Sequence, residues 1–136
     1  MSNVSTIAVS GMTAATRRLE VSASNVANVS STGALPDAGG AVAAGAQRAY
    51  APLVVVQTAS AGGGTATTVT TATPSTTAVS DPQAPFANGS GMVAAPNVDL
   101  SQEMVSQMIA SYNFAAGAAT LKADDRMTKA LLDIKA

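Results

Sequence analysis

This sequence predicts a mainly α fold: long N- and C-terminal helices paired as an α-helical coiled-coil-like domain, with a small irregular β or loop region between them. Three observations carry that prediction. Charge is concentrated at the ends, so that residues 99–136 hold nine of the 15 charged side chains and residues 49–80 hold none. Proline is absent from residues 1–30 and 97–136, whereas all six prolines fall between 36 and 96. Within the two ends, small and apolar residues recur every three or four positions, the period of one helix face. These shifts divide the chain into an N-terminal helix within 1–30, a variable Gly/Thr-rich middle over 31–97 and a C-terminal helix within 98–136.

The first helix is expected from Asn3 to Val29. Val4, Ala8, Gly11, Ala15, Leu19, Ser22, Val26 and Val29 follow one another at steps of 4, 3, 4, 4, 3, 4 and 3, with Ile7 beside the stripe. Twenty-seven residues rising 1.5 Å each give a rod of about 40 Å. Gly11, Ala15 and Ser22 are small enough to let a second helix come close.

The middle region reads less sharply. Leu53-Val54-Val55-Val56-Gln57 and Val69-Thr70-Thr71 are β-branched runs, and Gly62-Gly63-Gly64 lies between them. That pattern predicts two strands joined by a flexible loop, with a partly disordered middle as the alternative. Pro74, Pro82, Pro85 and Pro96 then interrupt any longer element.

The second helix is expected from Leu100 to Ile134. Asp99 is a good N-cap, with Gln102 three residues on for a capping box, and Pro96 stands just upstream. Val105, Met108, Tyr112, Ala115, Ala119, Ala123, Arg126, Ala130 and Ile134 follow one another at steps of 3 and 4, with Arg126 the one polar member. Gly117 weakens the helix centre by about 1 kcal/mol relative to Ala.

Composition limits what such a chain does. Thirty of the 136 residues are Ala, while Leu, Ile, Val and Phe together number 26. Neither helix can bury its stripe alone, so the ends must pair with each other or with neighbouring copies. There is no His and no Cys. The usual neutral-pH general base, the Ser/His and Cys/His nucleophile pairs, disulfides and His/Cys zinc sites are therefore excluded. The eight acids show no calcium-loop spacing, so neither a metal nor a cofactor is expected, and the chain does not read as an enzyme. A net charge of −1 makes nucleic acid an unlikely partner. No apolar run approaches a membrane span and no signal peptide is visible, so export without a cleaved peptide is the expectation if the chain leaves the cytosol.

Two segments carry a family resemblance. Ser10-Gly11-Met12-Thr13-Ala14 and Arg18 to Asn28 resemble the N-terminal signature of bacterial flagellar rod, hook and related axial proteins. Its diagnostic part is the run Ala23-Ser24-Asn25-Val26-Ala27-Asn28. Gly91-Met92-Val93-Ala94-Ala95-Pro96-Asn97-Val98-Asp99 resembles a second signature of the same family, followed by a helix beginning Glu103-Met104-Val105-Ser106-Gln107-Met108-Ile109-Ala110. Together the two look like the proximal-rod branch of the flagellar basal-body rod protein family.

That resemblance implies a structural subunit of the basal-body rod, polymerising helically through its terminal helices to form part of the drive shaft and the export channel wall. It implies as partners further copies of the chain, other flagellar rod proteins and the type III export apparatus, with the assembled subunit in the periplasm. On this reading the two stripes, Val4 to Val29 and Val105 to Ile134, are assembly interface. A sibling rod protein is the near alternative. A surface-displayed adhesin-like helical stalk is the alternative of a different class, and it would call for a cleaved signal or an anchor.

Overall fold

The computed structural model describes residues 3–37 and 40–134, with only the backbone described at Ile134. Helix α1 spans Asn3–Ala27 and helix α2 spans Leu100–Ile134. Between them lie four strands: β1 (Leu53–Ala59), β2 (Thr65–Thr71), β3 (Thr76–Ser80) and β4 (Met92–Pro96). They form two separate two-stranded antiparallel sheets, β1 with β2 and β3 with β4.

This corrects the mainly α, coiled-coil-like expectation. Helix takes 46% and strand 19%, so the fold is α+β. The expected middle region of irregular β or loop contains two regular ladders. In the first, seven consecutive pairs run from Leu53↔Thr71 to Ala59↔Thr65 without a bulge. In the second, five pairs run from Thr76↔Pro96 to Ser80↔Met92.

Helix α1 is the centre of the molecule, held between α2 and the β1–β2 hairpin. Its row Ala8, Met12, Ala15, Leu19 and Ser22 meets α2, which runs antiparallel to it. The pairing is fixed by Ser5 Oγ donating to Asp124 Oδ2 at one end and Ser22 Oγ donating to the Glu103 carbonyl at the other, 3.1 Å. The hairpin lies along a second row. Thr65 N–H donates to Ser10 Oγ at 3.1 Å, and Arg18 Nη2 donates to Gln57 Oε1 at 2.7 Å. Ala14, 2% exposed, sits between these two anchors.

The core is made of small residues. Among the described residues the buried side chains include Ala8, Ala14, Ala15, Val93, Ala94 and Ala110, with Pro52 and Pro96, so small residues predominate. Small side chains let α1 approach two neighbours at once, and the cost is little apolar area per residue. At Gly117 a Cβ would stand 2.5 Å from Met12 Cγ and 3.4 Å from the Ala8 carbonyl oxygen. Gly117 is therefore a point of close contact between the helices, and the weakness expected of a mid-helix glycine is the condition for that contact.

The second sheet is organised around Gly33. Gly33 and Ala94 exchange backbone hydrogen bonds of 2.9 Å each, which adds a third extended segment beside β4. Residues 47–50 cross over this point: Ala34 N–H donates to the Gln47 carbonyl and Tyr50 N–H to the Ser31 carbonyl. A Cβ at Gly33 would lie 2.2 Å from the Ala49 nitrogen, so only glycine admits the crossing. The Gly62–Gly64 turn is likewise specific rather than free. Gly63 and Gly64 have φ of +84° and +83°, and Gly64 rests against Ser10.

Candidate functional site

The two signature segments meet in space, and Asn25 is where they meet. It is the third residue from the end of α1, on the row that faces the hairpin, and is 2% exposed. Its Nδ2 donates to the Leu53 carbonyl at 2.9 Å and to Glu103 Oε1 at 2.6 Å. Its Oδ1 accepts from the Leu53 N–H at 2.9 Å and from the Tyr50 hydroxyl at 3.0 Å. A carboxamide offers two donor hydrogens and two acceptor lone pairs, and all four are used here. Ser24 Oγ lies 3.0 Å from the same Tyr50 oxygen. One buried side chain thus ties α1 to the start of β1, to the first turn of α2 and to the segment leading into the hairpin.

The remaining signature residues have local duties. Asn28 ends α1: its backbone N–H and its Nδ2 both reach the Ser24 carbonyl, at 3.1 and 2.9 Å. This stops the helix at Ala27, two residues before the expected Val29. Pro96 is buried at the end of β4. Asn97 is exposed but joins the second sheet's entry, donating from Nδ2 to the Pro74 carbonyl at 3.1 Å and from its backbone to Ser75 at 3.0 Å. Val98 is half-buried. Asp99 Oδ1 caps α2, accepting from the N–H groups of Ser101 and Gln102 at 2.8 and 3.1 Å. Ala23 and Ala27 are exposed, while Ser24 and Val26 are half-buried.

The stripes divide differently from one another. On α1, Ala8, Ala15 and Ser22 are buried against α2, and Gly11 and Val26 are half-buried, as is Val29 in the turn that follows. Val4, Ile7 and Leu19 remain exposed at the margins. On α2, Val105, Met108, Tyr112, Ala115, Ala119 and Ala130 are all exposed, and the Ile134 side chain lies outside the described residues. The face that α2 turns to α1 is another row: Glu103, Ser106, Ala110, Phe114, Gly117, Leu121 and Asp124. Its steps are also 3 and 4, and it is about half polar. Three polar or small members, Glu103, Gly117 and Asp124, make its main contacts, which is why a search for apolar residues selects the opposite face.

The outward face of α2 carries a run of exposed apolar side chains. From Met104 to Leu121 the helix holds no charged residue. Met104, Met108 and Tyr112 are 65%, 55% and 75% exposed. Further on, Met127, Leu131 and Leu132 are exposed too, beyond the point where Ser5 pairs with Asp124. No group of three or more acidic side chains gathers as a metal site among the described residues. No described helix is long and apolar enough to cross a membrane.

Sequence reading missed Tyr50, Leu53 and Glu103 as partners of Asn25. One weak signal existed for Tyr50, one of only two tyrosines in a chain poor in aromatics.

Comparison with known proteins agrees with this geometry. Residues 6–34 match a family model described as flagella basal body rod protein. Residues 90–134 match one described as flagellar basal body rod FlgEFG protein C-terminal. The first match contains Asn25 and the second contains Glu103, so the two matched segments are those joined at the buried carboxamide. No curated protein matches the chain.

Proposed function

We propose that this chain, which belongs to the flagellar basal-body rod family, is a subunit of the proximal rod, of the kind called flagellar basal-body rod protein C. The family places it in the basal body as a structural component that assembles with other rod components in the service of motility. The finer reading is that it polymerises helically, with residues 1–30 and 98–136 as the axial part and 31–97 as the variable part. In that arrangement the axial helices contribute to the drive shaft and to the wall of the export channel. The subunit reaches the periplasm through the type III export apparatus without cleavage.

The observation that carries this reading is the outward face of α2. A helix that exposes Met104, Met108 and Tyr112 within an uncharged run of 18 residues, while its inner row is already paired to α1, has an interface to spare. A subunit that stacks on neighbours uses such a face. A sibling rod protein is the second reading, favoured by a C-terminal match to a model whose description spans several rod proteins. Removing the gene from a flagellated host tests the proposal. Loss of swimming, with basal bodies that stop at the membrane ring and are restored by the full chain, is the expected result. Complete rods in the deletion strain overturn it.

A further inference from the structure

We propose that Asn25 is a side-chain stand-in for a β-strand, and that it couples the docking of the hairpin on α1 to that of the start of α2. This inference rests on the hydrogen-bond geometry and not on the rod reading.

In an antiparallel ladder, alternate residues of an edge strand point their N–H and C=O away from the partner strand. Ala72 N–H donates to the Pro52 carbonyl at 2.8 Å, so position 52 faces β2 and position 53 faces outward. The outward N–H and C=O of Leu53 are the pair that Asn25 takes, accepting one at 2.9 Å and donating to the other at 2.9 Å. A neighbouring strand would bond to Leu53 in the same two-point way. Beyond Leu53 this edge opens on a cleft of about 320 Å3 bordered by Val55, Arg18 and Gln102. Asn25 is thus the closure of the β1 edge at its first residue.

The same Nδ2 also donates to Glu103 Oε1, and Oδ1 also accepts from Tyr50. Consequently, an arrangement in which only the hairpin or only α2 is docked keeps only part of this bond set. In the docked state Asn25 is 2% exposed, and releasing either segment exchanges part of its four-bond set for water while the rest of the set is held by fewer neighbours. Sharing one carboxamide couples the two segments, so loss of the hairpin's bonds weakens the hold on the first turns of α2 and the reverse.

Native-state hydrogen exchange on the full-length chain tests this. In Asn25→Asp the two donor hydrogens are lost, and a carboxylate faces both the Leu53 carbonyl and the Glu103 carboxylate. The ladder amides of Val54 and Val56 and the α2 amides from Ser106 to Ala110 are expected to exchange at least 10-fold faster. Amides near Asp124 should change less than 2-fold. Adding Glu103→Gln supplies a donor to the new carboxylate and is expected to restore at least half of the logarithmic loss in both segments. If Asn25→Asp does not fold, Tyr50→Phe removes one bond to Oδ1 and should speed the same two segments together by about 3-fold. Faster exchange in the hairpin with α2 unchanged, or absence of rescue by Glu103→Gln, overturns the proposal.

Discussion

At the scale of single residues, two glycines in the helices look alike in the sequence and differ in the fold. Gly11 and Gly117 each interrupt an otherwise regular helix, and each costs about 1 kcal/mol of propensity relative to Ala. A Cβ at Gly11 meets nothing within 4 Å, whereas at Gly117 it meets Met12. Gly11→Ala is accordingly expected to raise the stability of the isolated chain by about 0.5–1 kcal/mol. Gly117→Ala should lower it by about 1 kcal/mol, since pushing Met12 aside costs more than the propensity returns. Urea melts of the two variants beside the parent check both signs. Gly33 is the stricter case. Its Cβ would collide with backbone atoms of Gln47, Arg48 and Ala49, which cannot rotate away. Gly33→Ala should cost about 3 kcal/mol and abolish the slow exchange of the Gly33 and Ala94 amides. Gly11, whose small size predicts a close helix neighbour, faces open space instead, and the roles of Gly33 and Gly117 were not legible because a glycine's neighbours across the fold leave no trace in its own segment. The signature asparagine was legible as a motif and not as a bond, for the same reason.

At the scale of elements, the sequence was clear wherever period and composition agreed. Leu100 starts α2 as the Asp99 cap implies, α1 is helical from the first described residue, and the β-branched runs around Val55 and Val69 pair with each other. It was unclear where residue type is nearly uniform. Ala occupies so many positions of α2 that several rows carry the same spacing, and the row that packs on α1 includes Glu103, Ser106 and Asp124. Met92–Pro96 reads as part of a signature, yet it is a strand whose Val93 is the largest fully buried side chain among the described residues. The separation of the two α2 rows yields a prediction. Tyr112→Asp and Ala119→Asp lie on the exposed row and should leave the circular dichroism and melting of the isolated chain within about 0.5 kcal/mol of the parent. The same substitutions should abolish swimming, because they put a charge in the middle of an uncharged face. Ala110→Asp, at 1% exposure against α1, should instead unfold the chain. Motility assays paired with melting curves separate the two outcomes. If Tyr112→Asp and Ala119→Asp cells swim normally, the outward row of α2 is not an assembly surface.

At the scale of the whole molecule, the chain is an antiparallel helix pair with one hairpin bound to its first helix and a second small sheet built on Gly33 and β4. Its core is mostly Ala, and much of its large apolar surface is turned outward, on α2 above all. Such a subunit gains little from burying its own surface and has more to gain from assembly. The central claim is that this surplus face is where the rod subunit meets its neighbours. Cysteine cross-linking in purified basal bodies tests it most directly, since the chain has no cysteine of its own. With Met108→Cys and Tyr112→Cys, a short bifunctional maleimide should join the chain to another copy or to another rod component in the intact basal body. Thr68→Cys, on the exposed side of the hairpin, provides the comparison. Cross-links from positions 108 and 112 to neighbouring subunits are the predicted result. Rapid labelling of both positions by a bulky water-soluble maleimide in assembled rods, with no cross-link formed, would contradict the account.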